Sequence, residues 1–160
     1  MTRRFRKIFS GAFLCVIALV FPACAGTCVG PGNIDEIKKM PELILYYPGS
    51  YVDQTFAQAA SGSPSGGNPA EAGAFLGAAA NASEVHQFYE RELRARGWAT
   101  RSGFYASTTA GESVAYAWAR ERFVFHLGIR QKQFLREGSA LQQYETVYVI
   151  NIIAEEGENK

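Results

Sequence analysis

The pattern of apolar and polar residues predicts one long amphipathic helix within residues 83–98. At about 100° per residue, a helix of this sequence gathers its large apolar side chains on one stripe. Gln87, Arg91 and Arg94 fall on the opposite side. A helix of this length is marginal by itself in water, so the stripe must be buried against another part of the chain. The residues predicted to be buried are Val85, Phe88, Tyr89 and Leu93.

Both ends of this helix carry boundary signals. Asn81 or Ser83 can cap the first turn, and Asn81 with Glu84 has the spacing of a capping box. Gly97 can adopt the left-handed conformation that ends a helix, and arginines precede it where the helix dipole is negative. The sequence therefore predicts where the helix begins and where it ends.

Alternation of bulky and small residues predicts strands on either side of the helix. Val114, Tyr116 and Trp118 alternate with alanines, which is the period of two expected of a strand with one bulky face. Residues 120–122 are predicted to be the turn into the next strand. The candidate strands cover residues 43–47, 50–56, 74–78, 114–119, 123–127 and 146–153. We predict an α+β fold, with an antiparallel sheet of about five strands and one main α-helix packed on one face.

Composition divides the chain into successive parts. Residues 1–23 are typical of a signal peptide, residues 24–42 of a flexible tether, and residues 155–160 of a charged tail. Residues 43–154 remain as a single domain, large enough to bury a core. Within this domain, residues 57–74 are mostly Ala, Ser, Gly and Pro, and we expect a disordered loop there.

The N-terminal residues predict export. Residues 3–7 carry four basic side chains, and residues 8–21 form an uncharged apolar run that is shorter than the roughly 20 residues of a membrane-spanning helix. Ala23 and Cys24 resemble the end of the lipobox of bacterial lipoproteins, in which the cysteine is lipidated and becomes the mature N-terminus. The alternative is ordinary signal-peptidase cleavage, which would release a soluble protein that begins at Gly26.

The charge balance argues against a nucleic-acid partner. The chain has 16 Lys+Arg and 15 Asp+Glu. Loss of the four basic residues of the signal peptide leaves 12 basic and 15 acidic side chains, a net charge of −3, whereas phosphate binding needs a basic surplus. Cys15 is removed with the signal peptide. A disulfide between Cys24 and Cys28 would constrain only the N-terminal tail of the mature chain.

Few residues form a pattern that carries chemistry. His86 and Glu90 share a helix face, but a zinc site needs three or four ligands and His126 is the only other histidine. We expect His86 to border the apolar stripe beside a solvated Glu90, and Glu92 to pair with Arg96 one turn on. We therefore predict no catalytic residue, no metal site and no cofactor, and the ligand-binding residues stay unidentified.

Several short motifs follow one another along the domain. Tyr-Pro-Gly at 47–49 follows the tether, Phe-Tyr at 88–89 and Gly-Trp at 97–98 lie on either side of Leu93, and a Thr-Val-rich strand closes the domain. In this order they resemble a loose group of small bacterial lipoproteins and envelope proteins of unknown function. The resemblance covers roughly residues 43–154. It implies an α+β fold and a location in the cell envelope, without an established activity.

The sequence favours an exported, lipid-anchored cell-envelope protein that acts as a non-catalytic binding or accessory domain. The lipid on Cys24 would attach it to the membrane, and its partner would be an envelope protein, a peptide or a glycan. The alternative function is an exported hydrolase that uses Glu92 or His86 in a site under the 57–74 loop. The alternative location is that of a soluble secreted or periplasmic protein.

Overall fold

The computed structural model describes residues 34–62, 67–101 and 112–155, and within them the chain forms one antiparallel sheet of six strands. The main helix lies on one face of this sheet, which confirms the predicted α+β class. The spatial order of the strands is β1-β2-β6-β5-β4-β3. The helices and strands are α1 (Ile34–Ile37), β1 (Tyr51–Gln58), β2 (Glu71–Ala78), α2 (Ala82–Ala95), β3 (Ala99–Thr100), β4 (Glu112–Arg120), β5 (Phe123–Arg130) and β6 (Thr146–Ala154).

Helix α2 begins and ends where the sequence predicts. The Asn81 side chain accepts a hydrogen bond from the Glu84 backbone N–H, and the Glu84 carboxylate accepts one from the Asn81 backbone N–H, both at 3.0 Å. This reciprocal pair is the predicted capping box. Gly97 has a φ angle of 81°, the left-handed conformation that a residue with a side chain rarely adopts. Both boundary signals are therefore confirmed.

The apolar stripe of α2 packs on the middle of the sheet. Val85, Tyr89 and Leu93 have no exposed surface. The ring of Tyr89 lies 5.5 Å from the ring of Phe125 on β5 and 6.0 Å from that of Tyr148 on β6, measured between centroids. The helix thus covers the two central strands, and the predicted contact of helix on sheet is confirmed.

The hairpin between β4 and β5 and the final strand also follow the prediction. Arg120 pairs with Phe123 at the end of the β4–β5 ladder, and Glu121 takes a φ angle of 55° in the tight turn between them. Strand β6 extends from Thr146 to Ala154 and pairs with β5 on one side and β2 on the other. A strand with neighbours on both edges is central, as its β-branched composition indicates.

Part of the predicted tether is folded, so the boundary at residue 42 is wrong. Residues 34–37 form α1, a 3-10 helix covers Pro41–Ile44, and Ile37 is fully buried. Residues 43–47 do not form the predicted strand, because Pro41 stands at the start of the 3-10 helix and the segment packs against the core beside α2 instead of pairing. The domain therefore begins by residue 34 at the latest.

The predicted loop over residues 57–74 is also too long. Strand β1 continues to Gln58, β2 begins at Glu71, and Ser61 forms an isolated bridge with Asn68. The small residues of 57–74 were expected to stay out of the core, yet Ala70, Ala72 and Ala74 are buried. Alanines on the helix side of β2 are buried because neighbouring side chains close over them.

Two further points concern the ends of the chain. In the predicted tail, the Glu155 carboxylate forms an ion pair with the Arg101 guanidinium at 2.5 Å. Residues 156–160 lie outside the described residues. Among the helices that the structure describes, none has the length and apolar character needed to span a bilayer.

Candidate functional site

A stack of aromatic rings lies where the flank of α2 meets strand β4. The imidazole of His86 lies parallel to the ring of Tyr116, with 3.7 Å between centroids and 19° between planes. Trp118, two residues further along the same face of β4, lies 5.9 Å from His86. His86 and Tyr116 are half-buried, whereas Trp118 has no exposed surface. We call His86, Tyr116 and Trp118 the ring stack.

The carboxylate of Glu90 holds this stack in place from one helical turn below His86. It accepts a hydrogen bond from Trp118 Nε1 at 2.5 Å and one from Thr100 Oγ1 at 3.2 Å. Arg94 adds an ion pair at 2.5 Å. The expectation of a solvated Glu90 is therefore wrong, because a buried indole N–H needs an acceptor and this carboxylate provides it. The donors Thr100 and Trp118 fix the helix to β3 and β4.

His86 stays neutral at physiological pH. Burial lowers its pKa below the ordinary value of 6.5, and the negative charge of Glu90 opposes this shift without cancelling it. A neutral imidazole has one N–H donor and one nitrogen acceptor. The half-exposed His86 ring therefore offers a flat face together with both kinds of hydrogen-bonding atom.

Glu92 is part of a structural ion pair, as the sequence predicts. Its carboxylate accepts from Arg96 at 2.9 Å and from Arg91 at 3.2 Å. The hydrogen bonds from Arg96 and Arg91 lower the pKa of Glu92, so it stays ionised. Within the described residues, these contacts follow the solvent side of α2 and none joins Glu92 to His86.

His126 lies on the opposite face of the sheet from the ring stack. Strand β5 alternates its side chains, so Phe125 and Leu127 face α2 and His126 faces away. His126 Nδ1 lies 2.9 Å from Asn151 Oδ1, and Asn151 Nδ2 donates to Glu71 Oε2 at 3.0 Å. Because the carboxylate can only accept, the amide is oriented with Oδ1 toward the imidazole, and His126 Nδ1 is the donor.

The two histidines therefore cannot form one metal site. Among the described residues, there is also no group of three His, Cys, Asp or Glu side chains that could hold a metal ion. Sequence reasoning missed Asn151 and Glu71. The available signal was an asparagine in the middle of a β-branched strand, since a polar residue in a central strand requires a hydrogen-bonding partner.

A buried carboxylate, Glu42, joins the N-terminal segment to the sheet. Only 1% of Glu42 is exposed, and it accepts from Trp98 Nε1 at 3.1 Å and from Arg120 at 2.9 Å. The guanidinium of Arg120 lies 4.6 Å from the Trp98 ring centroid, a cation–π arrangement. Glu36 and Arg122 form a further ion pair between the same two regions. The residues predicted as tether are thus tied to the ends of α2 and β4.

We expect the Glu42 cluster to make stability depend on pH in the acid range. Burial alone would raise the pKa of Glu42. The hydrogen bonds from Trp98 and Arg120, together with the positive charge of Arg120, outweigh burial, so that the pKa lies below the ordinary value of 4.5. A carboxyl with a lowered pKa in the folded state stabilises the fold above its unfolded pKa, and this contribution is lost as the pH falls through the folded pKa.

The measurement is urea denaturation of the wild type and of Glu42→Gln from pH 7 to pH 3. The wild type should lose more of its free energy of unfolding over this range than Glu42→Gln, whose amide does not titrate. Glu84→Gln, which changes the exposed carboxylate of the capping box, is the control for general acid effects. Parallel pH profiles for the wild type and Glu42→Gln would contradict the assignment.

The comparisons with known proteins leave the site to be interpreted from its own geometry. No family model matches the chain, and no curated protein and no solved structure matches it either. The predicted lipid anchor Cys24 and the second mature cysteine, Cys28, lie outside the described residues.

Proposed function

We propose that this chain is an exported, lipid-anchored cell-envelope protein whose folded domain acts as a non-catalytic binding domain. The lipid on Cys24 would be the membrane attachment, as the N-terminal sequence indicates. The ring stack would be the binding surface. The observation that carries this proposal is the half-exposed His86 ring, which lies flat on Tyr116 beside Trp118, whose indole N–H is bound by the carboxylate of Glu90.

The occupied carboxylates support binding over catalysis. A general base must be free to take a proton from the reacting group. Glu90 accepts from Trp118, Thr100 and Arg94, and Glu92 accepts from Arg91 and Arg96. Neither carboxylate is directed at the imidazole of His86 as the second member of a catalytic pair. Their role is to fix the helix and the rings.

The chemistry of the ring stack suits a sugar ring as ligand. Flat aromatic surfaces pack against the apolar C–H face of a sugar, and the neutral imidazole can exchange hydrogen bonds with hydroxyl groups at the edge of the sugar. Arg94, whose side chain is 64% exposed, lies beside Glu90 and adds donors for hydroxyl or acetamido oxygens. We therefore propose a glycan of the cell envelope as the partner class.

A titration with a β-1,4-linked N-acetylglucosamine oligosaccharide tests this proposal. Backbone amide signals of ¹⁵N-labelled protein should shift around His86 and Tyr116, and His86→Ala should weaken binding. An aromatic contact contributes about 0.5 to 1.5 kcal/mol beyond area burial, which corresponds to a roughly 2- to 12-fold loss of affinity.

Phe134→Ala is the matched control, because Phe134 is an aromatic residue that is 58% exposed and lies in a 3-10 helix outside the ring stack. It should bind as the wild type does. Signal shifts that are unchanged by His86→Ala would remove the ring stack as the binding surface. Cleavage of the oligosaccharide during the titration would favour the alternative hydrolase over a binding domain.

The anchor is tested separately. We expect Cys24→Ser to abolish lipid incorporation and to move the protein from the membrane fraction to the soluble fraction, because acyl chains contribute about 0.8 kcal/mol per buried CH₂ group. Cys28→Ser is the control and should stay with the membrane. Mass spectrometry of the mature N-terminus provides the second readout, and a native N-terminus at Gly26 would contradict lipidation.

A further inference from the structure

Strand β1 has one paired edge and one open edge. Residues 51–58 pair with β2 along one side. On the other side, no strand of the described residues lies beside β1, and its outward backbone groups form no other hydrogen bond there. Such an edge presents a row of N–H and C=O groups that can pair with another strand. Most β1 side chains are exposed, so nothing in the described fold covers this edge.

From Gln54 onward, β1 lacks the usual protections of an edge strand. Natural edge strands are usually blunted by lysine, by proline, by a bulge or by short length. Strand β1 is eight residues long and has neither lysine nor proline. Its one charged residue, Asp53, lies at an irregularity in the pairing with β2, and the residues that follow it pair regularly as far as Gln58. The segment from Gln54 to Gln58 is therefore a regular, uncharged edge.

The other end of the described sheet is built differently. Strand β3 is only two residues long. Arg94 donates a hydrogen bond to Thr100 of this strand, and Arg101 follows it directly. Short length and adjacent positive charge are the usual protections of an edge. Because β3 is short, whereas β1 keeps a regular and uncharged run from Gln54 to Gln58, we conclude that β1 is the edge suited to pairing.

We propose that β1 pairs with β1 of a second copy of this chain, so that two six-stranded sheets join into one. A homodimer with twofold symmetry makes an isologous contact, in which the same patch is used on both copies. The twofold axis that joins two edge strands lies perpendicular to the sheet, so the strands run antiparallel and both α2 helices lie on the same side. The uncharged segment Gln54–Gln58 suits its own copy, because no like charges are brought together.

The symmetry also restricts the register, and we place its centre at Thr55. Directly opposed residues point to the same face of a sheet. The sequence numbers of a β1 residue and of the partner residue opposite it must therefore differ by zero or by an even number. Centred on Thr55, the pairing places Gln54 opposite the partner's Phe56 and Asp53 opposite the partner's Ala57. At its centre this register pairs Gln54, Thr55 and Phe56, which belong to the regular part of β1, and it keeps the two Asp53 carboxylates apart.

Sedimentation velocity over a range of protein concentrations tests the proposal. Residues 25–160 are used, which contain the whole described fold and omit the signal peptide and Cys24. The expected result is a reversible increase from the mass of one chain to the mass of two as the concentration rises. A wild-type protein that keeps the mass of one chain at every concentration overturns the proposal.

Two charge variants test the register. In Gln54→Lys/Phe56→Lys, each lysine is opposed by a lysine of the partner, and the dimer should dissociate at least about tenfold more readily because like charges in an interface are strongly unfavourable. In Gln54→Lys/Phe56→Glu, each lysine is opposed by a glutamate, and the dimer should persist. Both variants remove the same Phe56–Phe75 ring contact of 5.5 Å, so they are matched in their effect on the fold.

Far-UV circular dichroism establishes that both variants are folded. If the two variants associate to the same extent, the pairing centred on Thr55 is wrong. If only the variant with opposed lysines is monomeric, the register is established. The ring stack lies at the flank of α2 against β4, near the opposite end of the sheet, so sugar binding and dimerisation are measured independently.

Discussion

Leu93→Ala is expected to lower the free energy of unfolding by about 2 to 5 kcal/mol, because it removes a large apolar side chain from a close-packed interior. Leu93 has no exposed surface and belongs to the core between α2 and the sheet, together with Val85 and Tyr89. A domain of this size has only about 5 to 15 kcal/mol of stability in total. The substitution should therefore leave a measurable unfolded fraction near physiological temperature.

The control for Leu93→Ala is Arg91→Ala on the solvent side of the same helix. The Arg91 side chain is 69% exposed, and its main contact is a surface ion pair with Glu92. Exposed substitutions of this kind usually change stability by no more than about 0.5 kcal/mol. Urea denaturation of residues 25–160 measures both variants. Equal losses would mean that the helix does not pack on the sheet through the stripe of Leu93.

Gly73→Ala is expected to lower the free energy of unfolding by about 3 kcal/mol or more, the upper end of overpacking effects. A Cβ atom at Gly73 would lie 2.0 Å from the backbone oxygen of Ile150 and 2.8 Å from Asn151 Cα. Both atoms belong to the backbone of β6, which cannot move aside as a flexible side chain can. The alanine would force β2 and β6 apart near the middle of the sheet.

Gly77→Ala is the matched comparison on the same face of β2. Its Cβ would lie 2.5 Å from the ring of Tyr144, a half-buried side chain that can rotate away. We expect the smaller loss, about 1 kcal/mol, because only the stacking of Tyr144 on Tyr51 is disturbed. A thermal or urea transition that moves equally in the two variants would show that backbone contact with β6 is not the deciding factor.

Gly73 also explains why Asn151 can be accommodated inside the sheet. Gly73 and Asn151 are directly opposed in the β2–β6 ladder, and the missing side chain leaves room for the amide. The amide then connects Glu71 on β2 with His126 on β5. We therefore expect a hydrogen-bonding defect in Gly73→Ala in addition to the steric one, visible as a changed environment of the His126 ring in proton NMR spectra.

The sequence by itself determined the elements whose signals are local. Hydrogen bonds between residues three positions apart form the capping box of α2, so Asn81 and Glu84 specify the helix start whatever surrounds them. The stop at Gly97 depends on the conformation of a single residue. The alternation in β4 and β5 and the β-branched run of β6 depend on side-chain period alone, and these strands formed as predicted.

Only the tertiary structure decided the roles of residues whose partners are distant in sequence. Glu42 was assigned to the end of a polar tether, but Trp98 and Arg120, 56 and 78 residues away, bury and neutralise it. Glu90 was expected to be solvated until β4 placed the Trp118 indole against it. Local composition cannot report such contacts, because the free energy of burying a charge depends on which donors the fold brings to it.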